Sequence, residues 1–128
     1  MNTRTFFFIL ILLVPFTGCV NCPVVEEQLA NSQDWKLGRG QYHAKQIGNT
    51  VKVFAEGANP TPNYQNIIAK TSLTVFPPEL VLQQKAPSEN QIEKITPFKI
   101  CRRFTVAQKI AKVTIRDADG KHEVNVEH

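Results

Sequence analysis

Residues 110–127, with the sequence IAKVTIRDADGKHEVNVE, decide the fold class. Apolar and polar residues alternate on both sides of the central Asp-Ala-Asp-Gly, and a period of two is typical of a β-strand with one buried face. Asp-Gly favours the positive φ that a tight hairpin turn requires. The stretch therefore predicts a β-hairpin that turns at residues 117–120. Its inward side chains are predicted to be Ala111, Val113, Ile115, Val124 and Val126.

A second hairpin is predicted upstream, where GQYHAKQI and GNTVKVFAEG meet at Gly48-Asn49. Alternation in its second strand places Val51 and Val53 on one face. Further strands are predicted over residues 67–76 and 79–85, and Pro77-Pro78 separates them because proline cannot donate to a sheet ladder. Residues 92–107 predict two short strands, or one bent strand. No segment has the apolar spacing of a substantial helix.

About seven short strands, with turn signals about every ten residues, favour an all-β fold, in particular an antiparallel immunoglobulin-like β-sandwich. The Cys…Trp…Cys spacing of true immunoglobulin domains is missing, so the expectation concerns the architecture alone. A closed barrel is the alternative.

An apolar run at residues 6–16 follows Arg4. A transmembrane helix needs about 20 apolar residues, so this run is too short to span a bilayer. A charged start, a short apolar core and a small residue at the exit are typical of a secretory signal peptide. The last residues of the run and those after it, Phe16-Thr17-Gly18-Cys19, resemble the lipobox of bacterial lipoproteins, although leucine is usual in the place of Phe16.

The lipobox resemblance implies that residues 1–18 are removed and that Cys19 carries the lipid. Because Val20 is not the aspartate that causes inner-membrane retention, the resemblance also implies an exported outer-membrane lipoprotein that faces the periplasm. Ordinary cleavage that leaves Cys19 unmodified is the alternative. The predicted organisation is a signal peptide at residues 1–18, a lipidated N-terminus and tether at residues 19–34, and a β-sandwich domain at residues 35–128.

Two further cysteines remain if Cys19 is lipidated. Disulfides persist in exported compartments, so a bridge between Cys22 and Cys101 is one expectation and two free thiols are the other. The spacing of the two residues does not decide between them.

Charge and histidine spacing do not indicate nucleic acid, metal or another cofactor. The chain has 15 Lys and Arg against 11 Asp and Glu, a net charge of +4, with no basic stripe or nucleic-acid motif. His43, His122 and His128 lack metal-ligand spacing. Counted from Asp117, the sixth and twelfth positions are not the glycine and glutamate of an EF-hand loop, so the Asp-Gly pair is interpreted as a turn.

No catalytic residue and no small-molecule substrate are expected. None of the serines lies in a Gly-x-Ser-x-Gly elbow. Arg102 and Arg103 could favour a thiolate at Cys101, but the sequence shows neither the base nor the oxyanion site that a nucleophile needs. The chain is therefore predicted not to be an enzyme.

The stretch GANPTPNY at residues 57–64 predicts a stiff loop, because each proline fixes a φ angle. Rigid loops on β-sandwiches often form binding surfaces. Asn59-Pro60-Thr61 followed by Tyr64 resembles the Asn-Pro-Thr-Thr-Gly-Tyr loop of chagasin-type cysteine-protease inhibitors, although that family's Gly-rich second loop and Arg-Pro-aromatic third loop are absent. The resemblance implies a partner-binding loop, and a simple crossover between strands is the alternative. The loop residues are Asn59, Pro60, Thr61, Pro62 and Tyr64.

Residues 48–126 more broadly resemble small exported bacterial β-proteins of unknown function, through the loop at residues 57–64, PPELVLQQKAP and ITPF. Two functional hypotheses follow. The first is a lipid-anchored, non-catalytic envelope protein with a structural or protein-binding role, whose partners are the membrane and an unknown envelope protein. The second is a peptidase inhibitor or protease-complex partner that acts through residues 59–64.

Overall fold

A computed structural model of the protein describes residues 22–27, 34–71 and 76–128. Over these residues the protein is all-β, as the sequence predicted, and has no helix. The strands are β1 (Glu26–Glu27), β2 (Trp35–Leu37), β3 (Gln41–Ile47), β4 (Thr50–Asn59), β5 (Gln65–Lys70), β6 (Glu79–Lys85), β7 (Thr96–Thr105), β8 (Lys112–Asp117) and β9 (Gly120–Glu127).

The strands form one mixed sheet that curls around the core. Its order is β1-β5-β6-β8-β9-β3-β4-β7, and β2 pairs with β6. Five pairs of strands are antiparallel, but β1–β5, β3–β9 and β6–β8 are parallel. The sheet is therefore mixed, not purely antiparallel as predicted, because pairing between strands that are distant in the chain leaves no local signal in the sequence.

Both predicted hairpins are confirmed. The β8–β9 turn closes with Asp117 opposite Gly120, whose φ is 117°. The β3–β4 turn contains Gly48, whose φ is 60°. Glycine adopts these left-handed conformations without the steric cost that a Cβ atom would add.

The core is built from alternate residues of the long strands, as the sequence predicted for the hairpins. Val124 and Val126 also pack on the core, whereas Ala111 precedes β8 and is exposed, contrary to the prediction. Burial of a valine, leucine or isoleucine stabilises the fold by about 1.5–3 kcal/mol. The core residues that are at most 1 % exposed are Ala44, Val51, Val53, Ala55, Ile68, Leu80, Leu82, Val113 and Ile115.

The remaining predicted strands are partly confirmed. Residues 79–85 form β6, and the segment around Pro97 is the single strand β7. The strand predicted over residues 67–76 is present as β5, which ends at Lys70, and residues 72–75 of that prediction lie outside the described residues.

One buried amide fastens the end of the sheet that carries the β3–β4 turn. Gln46 Nε2 donates to the carbonyl oxygens of Gly48 at 3.0 Å and Gln108 at 3.1 Å. Its Oε1 accepts from the Ile110 N–H at 3.0 Å. The side chain thus ties the turn to the connection between β7 and β8.

Candidate functional site

The first described segment, residues 22–27, joins the two ends of the strand order. Val24 forms a parallel bridge with Arg103 of β7, and β1 pairs with β5. The Arg103 N–H donates to the Pro23 carbonyl at 2.9 Å, and the Val25 N–H donates to the Arg103 carbonyl at 3.0 Å. These residues were expected to form a tether, and the structure instead makes them part of the sheet.

A disulfide fixes the start of this segment. The Sγ atoms of Cys22 and Cys101 lie 2.01 Å apart, so of the two alternatives left open by the sequence the structure has the bridge. Arg103 Nε donates to the Cys22 carbonyl at 3.0 Å. The bridge spans 79 positions and attaches the N-terminal segment to β7.

Cys19, the predicted lipidation residue, lies outside the described residues, as does the predicted signal peptide. Cys22 follows it by three positions. Three residues span at most about 10 Å. A lipid on Cys19 would therefore remain within about 10 Å of the start of the sheet-bound segment.

The predicted binding loop connects β4 to β5. Asn59 ends β4, is buried and lies opposite Thr96 of β7. Thr61, Pro62 and Tyr64 are half-buried, whereas Pro60 is exposed. The structure thus brings the five predicted residues together in one turn, in which Asn63 has a φ of 69°.

A second segment, residues 91–96, lies against this loop. Asn63 Nδ2 donates to Gln91 Oε1 at 2.9 Å. Ile92 and Ile95 are 72 % and 75 % exposed. Single exposed apolar residues are common, but these two adjoin Gln91 and Thr96, which both meet the loop. This end of the molecule therefore presents polar and apolar groups together.

A buried carboxylate lies at the β8–β9 turn. Both oxygens of Asp117 are engaged: Tyr42 Oη donates to Oδ2 at 2.5 Å, His122 Nε2 lies 2.8 Å from Oδ1, and the Asp119 N–H donates to Oδ1 at 2.8 Å. The Asp117 side chain is fully buried. These groups are named the Asp117 cluster, and it fixes the hairpin against β3.

The Asp117 cluster shifts two pKa values in opposite directions. Burial alone would raise the pKa of Asp117, but hydrogen bonds from Tyr42, His122 and Asp119 hold that pKa below its usual range. Burial, followed by the hydrogen bond to Asp117 and the negative charges of Asp117 and Asp119, raises the pKa of Tyr42 far above its usual value. The fold therefore favours a charged carboxylate beside a neutral phenol.

Each histidine has a local partner. His43 Nε2 lies 2.9 Å from Glu127 Oε1, and His128 Nε2 lies 2.9 Å from the Ile110 carbonyl. Among the described residues, no group of three or more His, Cys, Asp or Glu side chains is placed to hold a metal ion. The described part of the chain also contains no helix long and apolar enough to cross a membrane.

The sequence reasoning missed the Asp117 cluster and interpreted Asp117 only as a turn residue. A signal for its burial is present, because Asp117 continues the inward alternation of Val113 and Ile115. Its partner Tyr42 is 75 positions away, and only the folded sheet brings the two together.

No protein-family model matches the chain, and no curated protein or solved structure is significantly similar to it. The fold and site define an all-β protein whose N-terminal segment is bonded into its sheet. Its function is therefore inferred from the chain's own residues.

Proposed function

We propose that the chain is an exported, lipid-anchored protein of the bacterial envelope that acts by binding and not by catalysis. One observation carries the proposal: the segment that begins three positions after Cys19 is bonded to both β7 and β5. A lipid anchor controls the position of a domain only where the intervening chain is short or fixed. Here it is both.

The disulfide between Cys22 and Cys101 supports export. Such bonds persist in oxidising compartments and are rare in the cytosol. Because the bond and the signal-like run at residues 6–16 both indicate export, they support the same compartment independently.

A binding role is supported by the state of the buried carboxylates. The oxygens of Asp117 are already occupied by three donors. Glu79, also buried, has Arg116 at 3.5 Å and Lys121 at 3.3 Å. Buried charges that are paired in this way are typical of structural roles.

Metabolic labelling with a tagged fatty acid tests the anchor. Cells that produce the full chain should yield labelled protein in the outer-membrane fraction, and Cys19→Ser should abolish the label. Cys22→Ser is the matched control, because it removes a neighbouring thiol and leaves the lipobox intact, so it should be labelled normally. Equal labelling of wild type and Cys19→Ser, or no label in either, would contradict the proposal.

A second candidate function is peptidase inhibition through residues 59–64. The specific observation in its favour is the surface formed by exposed Pro60 with Ile92 and Ile95 beside it. The chagasin-type resemblance implies that such a loop occupies a protease cleft, and the adjoining isoleucines would extend the contact.

Inhibition of papain-like proteases by the protein tests this second candidate. Pro60→Ala and Ile95→Ser should each weaken inhibition. Ile47→Ser is the matched control, because Ile47 is also exposed but lies at the opposite end of β4, beside the β3–β4 turn. Failure to slow any member of a broad protease panel would rule the function out.

A further inference from the structure

Three cations lie side by side on the outer surface of the sheet. Lys45 of β3 is in register with Lys52 of β4, and Lys52 is in register with Arg103 of β7. Residues directly opposite each other share a face, and neighbouring strands are about 4.8 Å apart, so the row is about 10 Å long. The outer surface of β3, β4 and β7 that carries this row is named the outer face.

The outer face holds more positive than negative charge. Lys99 of β7 adds a fourth cation, opposite Glu56. No ion pair with another described residue involves Lys45, Lys52 or Lys99. Like charges directly opposite each other destabilise a sheet. An anion bound at the outer face would therefore relieve a cost that the folded protein carries.

The carboxylates of the outer face do not cancel this charge. Glu127 is in register with Lys45 and lies 2.9 Å from His43 Nε2. Glu56 and Glu127 oppose four cations, which leaves a net charge of +2 with His43 neutral.

The N-terminal segment begins on the same face. Cys101 is in register with Phe54, whose neighbours Val53 and Ala55 point into the core, so Cys101 and Phe54 both lie on the outer face. Cys22 is bonded to Cys101, next to Arg103. A lipid carried three residues before Cys22 would therefore emerge beside the cations.

We propose that the outer face lies against an anionic membrane surface and contacts its lipid headgroups. Basic residues next to a bilayer are attracted to anionic lipids, and the attraction fades within a Debye length of about 8–10 Å. Ile47, 61 % exposed and on the same side of β3 as Lys45, adds an apolar group at the rim. The inference rests on the proposed lipid anchor and adds the orientation of the domain and the class of lipid.

Lysine reactivity in vesicles tests the orientation. The acylated full chain is placed in vesicles of phosphatidylcholine alone or of phosphatidylcholine with phosphatidylglycerol, and a membrane-impermeant reagent acylates the lysines. Mass spectrometry gives the rate at each site. Lys45, Lys52 and Lys99 should react about fivefold more slowly in the anionic vesicles, a factor that corresponds to about 1 kcal/mol per cation near the surface. Lys36, exposed on β2, should react equally in both, and high salt should abolish the difference.

A charge reversal supplies the matched pair of variants. Lys52→Glu should raise the reactivity of Lys45 and Lys99 in anionic vesicles, and Lys36→Glu should leave it unchanged. Equal rates at the three outer-face lysines in both vesicle types would overturn the proposed orientation and leave the anchor standing. A wild-type chain whose intact mass lacks acyl groups would instead overturn the anchor, and the orientation with it.

Discussion

Replacement of Asp117 by alanine should destabilise the protein strongly. The fully buried carboxylate accepts hydrogen bonds from Tyr42 and the Asp119 N–H and contacts His122. Alanine would leave the Tyr42 hydroxyl and the Asp119 N–H without their acceptor. His122 is partly exposed and can turn to water, so its loss adds less.

The magnitude follows from the lost hydrogen bonds. A hydrogen bond to a charged group stabilises by about 1.5–3 kcal/mol, so two such losses predict about 3–4 kcal/mol for Asp117→Ala. For a domain of this size, that corresponds to a fall in Tm of about 15 °C. Asp117→Asn keeps one acceptor oxygen and the side-chain shape, and should cost about half as much.

Urea unfolding of the oxidised protein, followed by Trp35 fluorescence, measures these changes. Asp119→Asn is the matched control, because its ion pair with Arg39 joins side chains that are 56 % and 71 % exposed and should contribute under about 0.5 kcal/mol. A loss of less than about 1 kcal/mol for Asp117→Ala would refute the role assigned to the Asp117 cluster.

The pH dependence of stability gives a second measurement on the same residue. Because the fold lowers the pKa of Asp117, its contribution is present above the unfolded pKa of about 4 and is lost as pH falls through the lower folded value. Wild type should therefore lose stability between about pH 5 and 2, and Asp117→Asn should lose less over that interval. Parallel acid profiles for the two proteins would contradict this assignment.

Three further predictions concern other parts of the fold. Reduction of the Cys22–Cys101 bond should lower the free energy of unfolding by about 4 kcal/mol, the loop-entropy value for a separation of 79 positions, and an unchanged urea midpoint would contradict it. Gln46→Ala should cost about 2 kcal/mol, because it leaves buried partners unpaired, whereas exposed Gln41→Ala should cost under about 0.5 kcal/mol in the same titration. Because the fold raises the pKa of Tyr42, wild type should lose stability as pH rises above about 10 and Tyr42→Phe should lose less, and equal alkaline losses would exclude this contribution.

The features that the sequence predicted well are local. Residues 110–127 contain two strands and their turn, and the side-chain alternation defines which residues are buried. The Gly48-Asn49 hairpin is predictable for the same reason. In both, the partner strand is the next one along the chain, so no long-range register is needed.

The features that the sequence did not predict depend on contacts between distant segments. The parallel bridge between Val24 and Arg103 joins positions nearly 80 apart, and an edge-closing segment of this kind has no periodicity of its own. The row of Lys45, Lys52 and Arg103 exists only because β3, β4 and β7 pair in one particular register. Such charges look scattered in the sequence and adjacent in the sheet.

Mass spectrometry of a tryptic digest, made without reductant from the membrane-bound protein, tests the central proposal most directly. Trypsin cleaves after Lys36, Lys99 and Arg102, so the proposal predicts one species that joins residues 19–36 to residues 100–102. That species should carry acyl chains on Cys19 and a disulfide between Cys22 and Cys101. An unmodified Cys19, or an N-terminus at another residue, would contradict the lipid anchor. Two separate peptides with free thiols would contradict the attachment of that anchor to β7.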